Sequence, residues 1–315
     1  MPKTCSDEDF IEAWNRLGGA EAVSAHFKLR IRGVYERRAR IETKYGINLV
    51  ARADMHGRPT VCLPTKGIRR IASVTGRVIV FSDAHFWPGK MTVANKALLT
   101  LAGELRPAMI VANGDIFDGA RISRHDPIGW EQRPTLASEL ETCRERMEAI
   151  RQAAPKATHV WNIGNHDIRY ARYLAMNAPA LEQVKGTNLD DHITNWDMGW
   201  SLMLNDNTMI KHRYHNGIHA TYNNTVKAGK SIVTGHLHRL QATSWADYNG
   251  HRWGVDSGCL LDIGPDCPQT FYAEDDPRPH SAGFVVLTFD KRGMLLEPEF
   301  CRVLNGEAYF RGAEV

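Results

Sequence analysis

The 315-residue sequence predicts a layered α/β fold preceded by a small helical unit. Three observations carry that reading. From residue 78 onward, short apolar runs suited to buried strands alternate with amphipathic helical stretches. The first 46 residues show helical spacing with cap and stop signals. Between them, Gly57, Pro59, Pro64, Gly67 and Gly76 punctuate a segment with no sustained period. The expected organisation is a helical domain over 1–49, a linker over 50–76 and a large domain over 77–315.

The elements follow in order. Ser6 can cap a helix whose N3 residue is Asp9, a relative of the capping box. Phe10, Ala13, Trp14 and Leu17 then recur at helical spacing, and Gly18-Gly19 stops the run. A second short helix fits "AEAVSAHF", and a third fits "IRGVYERRARIETKY", ending at Gly46. The apolar runs "VIVFS" (78–82), "AMIVAN" (108–113), "HVWNI" (159–163) and "SIVT" (231–234) read as strands buried on both faces. "TVANKALLTLAGEL" and "LASELETCRERMEAIRQA" read as helices between the first three. "GFVVLTFD" (283–290) is expected in a second, more antiparallel sheet.

Composition excludes several classes. Hydrophobic residues at 43% and charged residues at 24% can bury a sizeable core. A net charge of +3 sets up no global field toward nucleic acid or membrane. No stretch offers the ~18 apolar residues of a membrane span, and the polar start lacks a secretory h-region. The expected location is therefore cytoplasmic, without membrane association. Cys5, Cys62, Cys143, Cys259, Cys267 and Cys301 are scattered without a CxxC pair and read as reduced thiols.

Each of the four strands runs straight into residues that carry chemistry. "SDAH" brings Asp83 and His85; "GDIFD" brings Asp115 and Asp118; "GNHD" brings Asn165, His166 and Asp167; "GHLH" brings His236 and His238. Loops at the carboxyl ends of strands are where α/β sheets bind ligands. Asp, His and Asn donors without thiolate suit Mn²⁺, Fe, Zn²⁺ or Mg²⁺. Two aspartates leave two divalent cations with positive charge to spare for an anionic phosphate.

The ordered set DxH, GDxxD, GNHD and GHxH resembles the calcineurin-like metallophosphoesterase superfamily, over roughly residues 76 to 290. That resemblance implies a β-sandwich flanked by helices and two divalent metal ions, with Mn²⁺ foremost. It also implies roles by position. Asp83, His85 and His238 are implied ligands of one metal, Asn165 and His236 of the other, with Asp115 bridging. His166 is the implied acid for the leaving group, oriented by Asp167, while Asp118 supports a loop or a ligand. A further histidine is implied between GNHD and GHxH, and "TMIKHRYHNGIHA" offers His212, His215 and His219. His215, just before Asn216-Gly217, fits the expected His–Gly pairing best. His212 reads as a mid-strand structural residue and His219 as a helix start.

Other features have two readings. Arg121, Arg124 and His125 follow GDIFD and either hold a phosphate or form an exposed loop. The aromatic segment 169–200 either caps substrate or is ordinary packing. Residues 28–44 hold seven Lys or Arg against Glu36 and Glu42, a local charge of +5. Helix, short turn and basic helix together resemble a helix-turn-helix, with Ala22, Val23, Phe27, Val34 and Tyr35 at core positions. Its second helix would present Arg30, Arg32, Arg37 and Arg38 to DNA. Such a unit in front of this catalytic domain resembles arrangements in phage proteins. The expected function is a dinuclear phosphodiesterase acting on DNA as a nuclease. Its rival is a phosphomonoesterase or protein phosphatase whose front helices bind a protein.

Overall fold

The computed structural model describes residues 5–47, 49, 69–126, 132–182, 184–264, 267 and 278–315. The chain divides into two units, Met1–Cys62 and Leu63–Val315.

In the first unit, α1 (Asp7–Leu17), α2 (Ala20–Phe27) and α3 (Ile31–Tyr45) share one small core. Ser6 and Asp9 form the full capping box, and Gly18 ends α1 in the left-handed region at φ 84°. Phe10, Trp14, Val23, Val34, Ile41 and Leu49 are buried together, with Phe27 packed against them. Two expected core residues are not core: Ala22 is exposed and Tyr35 is 53% exposed. Tyr35 points away because the buried seam of α3 runs through Val34 and Ile41, two turns apart, and Ala22 lies off the face that α2 buries through Ala20 and Val23.

Only part of the basic helix's charge faces outward. The guanidinium of Arg37 is turned inward, donating to the Cys5 carbonyl and to Asp7 and lying 5.2 Å over the Phe10 ring. Arg38 pairs with Glu42 at 2.9 Å and covers the Trp14 ring at 5.0 Å. Those contacts consume Arg37 as packing. Arg30, Arg32 and Arg40 are exposed, and Arg32 makes only a surface pair with Glu36.

The second unit runs β1 (Arg69–Ala72), β2 (Gly76–Phe81), α4 (Val93–Leu105), β3 (Met109–Ala112), α5 (Leu136–Ala153) and β4 (Thr158–Asn162). It continues through α6 (Ile168–Asn177), α7 (Leu189–His192), β5 (Asp197–Gly199), β6 (Ser201–Leu204), β7 (Thr208–Lys211), α8 (Ala220–Ala228) and β8 (Ser231–Thr234). It closes with β9 (Leu240–Asp247), β10 (Gly250–Ser257), β11 (Gly283–Phe289), β12 (Glu299–Leu304), β13 (Glu307–Phe310) and β14 (Ala313–Glu314). Among the described residues, one sheet has the order β1-β6-β7-β8-β10-β9 and the other β14-β13-β12-β11-β2-β3-β4-β5. Residues 69–72, expected in the linker, are thus an edge strand paired in parallel with β6.

Period-two alternation explains the apolar runs. Ile79 and Phe81 of β2 face α4 and α5 along with Ile110, Trp161 and Phe284. Val78 and Val80 face the other way, meeting Leu202, Ile210, Val233 and Val255 between the sheets. Met203, Met209 and Ile232 form a patch on the other face of the smaller sheet, with Ala228 of α8 packed on it. The result is helix, sheet, sheet, helix. Two sequence expectations shift here. "GFVVLTFD" joins the sheet that holds β2, pairing antiparallel to that strand, rather than a separate sheet. "SIVT" belongs to the other sheet, parallel to β7 and β10. No helix of the described residues is long and apolar enough to cross a membrane.

Candidate metal centre

Five strands deliver the site. Asp83 and His85 follow β2, Asp115 follows β3, Asn165 and His166 follow β4, His212 follows β7, and His236 and His238 follow β8. The loops are laced together by their backbones. Asp83 and His85 donate to the carbonyls of Gly114 and Asp115, and Gly235 donates to His212, each at 2.9 Å. Ser82, beside Asp83, shares a 2.9 Å hydroxyl contact with Ser257 at the end of β10, so that strand buttresses the site.

Asp83, His85, Asp115, His236 and His238 all have positive φ, between 39° and 74°. Left-handed backbone at a non-glycine residue costs ~1–3 kcal/mol and persists only where the surroundings enforce it. Five such residues converging on one rim mark a built site. The neighbouring glycines are there for close approach. A Cβ on Gly164 would lie 2.0 Å from Asp115 Oδ1, and one on Gly114 would lie 2.5 Å from the His212 ring.

Asp83 and Asp115 each commit one oxygen to the backbone and turn the other to a histidine. Asp83 Oδ2 accepts the His236 N–H at 2.8 Å, while Oδ1 has no hydrogen bond and lies 3.2 Å from His238 Nε2. Asp115 Oδ1 accepts the His166 N–H at 2.7 Å, while Oδ2 lies 3.1 Å from His212 Nε2. Donor atoms of Asp83, His85 and His238 fall within 4.8 Å of one another, as do those of Asp115, His212 and His236. Two oxygen-and-nitrogen clusters, each with a carboxylate oxygen directed into it, fit two hard or borderline divalent cations.

His212 takes the place expected of His215. β7 stops at Lys211, so His212 lies just past a strand end, where the other candidates also lie within a few residues of theirs. Its Nδ1 lies 2.8 Å from the Asn113 carbonyl, which fixes that nitrogen as donor and leaves Nε2 to face Asp115 and, at 3.2 Å, Asn165 Oδ1. Burial disfavours its charged form, but the Asp115 and Asp83 carboxylates outweigh that and hold His212 up at about 10. His215 belongs to no such cluster among the described residues; its backbone N–H donates to Asn224 and its ring packs on Tyr214. His219 is exposed at the start of α8.

The roles expected of Asp118 and Asp167 are also redistributed. Asp118 Oδ1 lies 2.9 Å from Nδ1 of both His85 and His166. Accepting from His85 Nδ1 leaves that ring's Nε2 for the cluster, the usual arrangement behind a ligating histidine. Asp167, expected to orient His166, is 2% exposed and faces the other way. It accepts the backbone N–H groups of Asp115, Ile116, Phe117 and Gly164 and the indole N–H of Trp161. It pins the GDIFD loop to the GNHD loop. Sequence reasoning missed two more residues. Arg169 donates from Nη2 to His166 Nε2 at 3.1 Å and from Nη1 to the Asp118 carbonyl at 2.8 Å. Glu139 of α5, fully buried, accepts the Gly119 N–H beneath the same loop. Burial works against the charged form of His166, but Asp118 and Asp115 prevail and raise its pKa.

Comparison with known proteins bears on this geometry. The calcineurin-like phosphoesterase family model matches residues 76–256, a span that contains every candidate ligand. The Gene 54 protein of Mycobacterium phage L5 is 25% identical over 251 residues, covering 73% of this chain and 94% of the relative. Its counterpart in Mycobacterium phage D29 is 24% identical over 249 residues, with the same coverages. Among solved structures, wild-type Vps29 of Entamoeba histolytica complexed with zinc matches with a TM-score of 0.39 at 13% identity. That match covers 76% of this chain and 98% of the Vps29 chain.

Proposed function

The chain belongs to the calcineurin-like phosphoesterase family, and on that premise we propose that it is a dinuclear metal-dependent phosphodiesterase that cleaves DNA. One observation supports this most: the two carboxylate–histidine clusters lie on one rim, each with a carboxylate oxygen turned into it. Asp83, His85 and His238 would hold one ion; Asn165, His212 and His236 would hold the other, with Asp115 shared. Mn²⁺ suits this donor set, as do Fe, Zn²⁺ and Mg²⁺. Two bound divalent cations supply Lewis acidity toward the phosphoryl oxygens and lower the pKa of water enough to provide hydroxide near neutrality.

The chain's own residues do the rest. His166 protonates the departing oxygen, and Asp118 fixes its ring through Nδ1 and favours the cationic form. Arg169 donates to Nε2 of the neutral ring, so protonation of Nε2 frees the Arg169 guanidinium to meet a phosphoryl oxygen. Asp167 keeps the loops carrying Asp115 and Asn165 in register.

DNA as substrate rests on the front unit, whose exposed Arg30, Arg32 and Arg40 offer phosphate contacts. That the 24–25% identical relatives are phage proteins accords with the phage-like arrangement of its segments. The test is hydrolysis of bis(p-nitrophenyl) phosphate against p-nitrophenyl phosphate, with Mn²⁺ and with chelator. Metal-dependent turnover of the diester, lost in Asp115→Asn, supports the reading. Preference for the monoester moves the phosphatase reading ahead, and full activity after chelation removes both.

A further inference from the structure

Beside the second cluster, bordered by Asn165 and His212, lies a cavity of about 940 Å³. Arg121, Arg124, Arg169, Arg172, Lys211 and Arg213 line it, and among the described residues no aspartate or glutamate does. The whole chain carries only +3, so this is a concentration of charge rather than a sample of the average surface. Six like charges around one cleft repel one another, and an anionic occupant relieves that repulsion. Arg121 is held on the rim by the carbonyls of Arg133 and Pro134. Arg124, Arg172 and Arg213 project as exposed side chains.

The same cleft has aromatic walls. Tyr173 and Trp200 line it and remain 43% and 38% exposed, and Met176 beside them is 76% exposed. A pocket for a lone phosphate needs the cations but not the rings. Cations interleaved with open aromatic faces are the pattern that binds single-stranded nucleic acid, where each backbone phosphate comes with an unstacked base. In a duplex those base faces are covered by their neighbours and cannot reach a ring.

We propose that this cleft holds a single-stranded DNA segment flanking the scissile phosphate, with its phosphates on Arg124, Arg172 and Arg213. Bases stack on Tyr173 and on Trp200. The proposal rests on the phosphodiesterase reading, because the cleft opens onto Asn165 and His212. It implies that duplex substrates are cleaved at frayed, nicked or unpaired positions.

The test uses the full chain and labelled oligothymidine, with binding followed by fluorescence anisotropy in chelator and hydrolysis of bis(p-nitrophenyl) phosphate followed with Mn²⁺. Trp200→Ala and Tyr173→Ala should each weaken oligothymidine binding about tenfold, the scale of one base stack. Trp200→Phe should restore it, which separates stacking from misfolding. Arg124→Ala with Arg172→Ala should lower the slope of log affinity against log salt by about 1.4, at ~0.7 per single-strand contact. All of these variants should hydrolyse the small diester as the parent does. Unchanged affinity and salt slope with diester turnover intact would overturn the cleft assignment and leave the phosphodiesterase reading standing. No diester turnover in the parent, with the expected binding losses, would overturn that reading and leave the cleft as a DNA site. Equal losses on blunt duplex, or competition by a phosphoserine peptide as strong as by oligothymidine, would overturn the choice of single-stranded DNA.

Discussion

Asp118 Oδ1 lies 2.9 Å from Nδ1 of His166, and the same oxygen lies 2.9 Å from Nδ1 of His85. One carboxylate therefore orients both a candidate metal ligand and the candidate acid. The two jobs separate by mutation. His166→Ala should keep both metals and lose roughly 10²–10⁴-fold in turnover, the range for a positioned acid. The loss should shrink for diesters with good leaving groups. Asp118→Asn should lower turnover and also metal affinity by ~10–100-fold, because His85 loses its orienting partner. Metal analysis by mass spectrometry on both variants decides the matter. If metal content in His166→Ala falls as far as activity, His166 is a ligand.

The choice between His212 and His215 has an equally direct readout. His212→Ala removes the nitrogen that faces Asp115 Oδ2 and Asn165 Oδ1. It should cut affinity for the second metal and abolish metal-dependent diester hydrolysis. His215→Ala should leave metal stoichiometry intact, since its ring lies against Tyr214 outside both clusters. Loss of a metal from the second variant and not the first would reverse the assignment.

That pair also shows how far the sequence was legible. Apolar run followed at once by Asp, His or Asn was readable four times, and the structure gathers those residues on one rim. The same signal was present a fifth time in "TMIKH", where the strand ends and a histidine follows. The Asn216-Gly217 pair after His215 competes with that signal, and the sequence does not show that β7 stops at Lys211. Asp118 and Asp167 could not be assigned from spacing. Both are aspartates two or three residues from a candidate ligand, and only the loop path decides which meets an imidazole and which meets five N–H groups. Arg37 failed for a related reason. Charge in sequence says nothing of direction, and its guanidinium finds Asp7 and the Phe10 face through tertiary packing. The sheet exchange of "GFVVLTFD" has another cause. An apolar run buried on both faces fits either sheet, and only strand pairing chooses.

Gly164 has no room for a methyl group. A Cβ there would sit 2.0 Å from Asp115 Oδ1, the oxygen anchored by the His166 N–H. Gly164→Ala should displace the Asp115 carboxylate and cost ~1–3 kcal/mol of stability by overpacking. Diester hydrolysis should fall with metal content. A variant that melts and turns over like the parent would show that the two loops are further apart than this geometry has them.

Glu139 should make stability depend on pH. Burial pushes its carboxyl up to about 7 from an ordinary 4.5, against the N–H groups of Gly119, Asp118 and Ala120. A folded-state pKa above the unfolded one means the native state holds the proton more tightly. Stability is then greatest below about 4.5, falls as pH rises toward 7, and is level beyond. The slope approaches about 1.4 kcal/mol per pH unit inside that window. Glu139→Gln keeps an acceptor for the loop and removes the titration. Urea unfolding of chelated protein at several pH values should show the variant gaining on the parent between pH 5 and 7. A difference that does not change with pH would mean Glu139 is ionised throughout, with the three N–H contacts deciding.

The front unit offers a test in which stability and DNA binding should part company. Arg37 is nearly enclosed, with its side chain 14% exposed and paired to Asp7. Arg37→Ala removes charge-assisted hydrogen bonds to Cys5 and Asp7 and uncovers the Phe10 ring. It should lower the melting temperature of the helical unit. Arg32 and Arg40 are exposed, so Arg32→Ala and Arg40→Ala should leave melting unchanged within about 0.5 kcal/mol. If this face contacts duplex DNA, each should lower the slope of log affinity against log salt by ~0.9. Removing residues 1–49 should remove the whole effect and spare hydrolysis of a small diester, because no candidate ligand precedes Asp83. A soluble truncated protein that binds duplex with the parent's affinity and salt slope would assign DNA contact to the second unit. The exposed arginines of α3 would then be free for a protein partner.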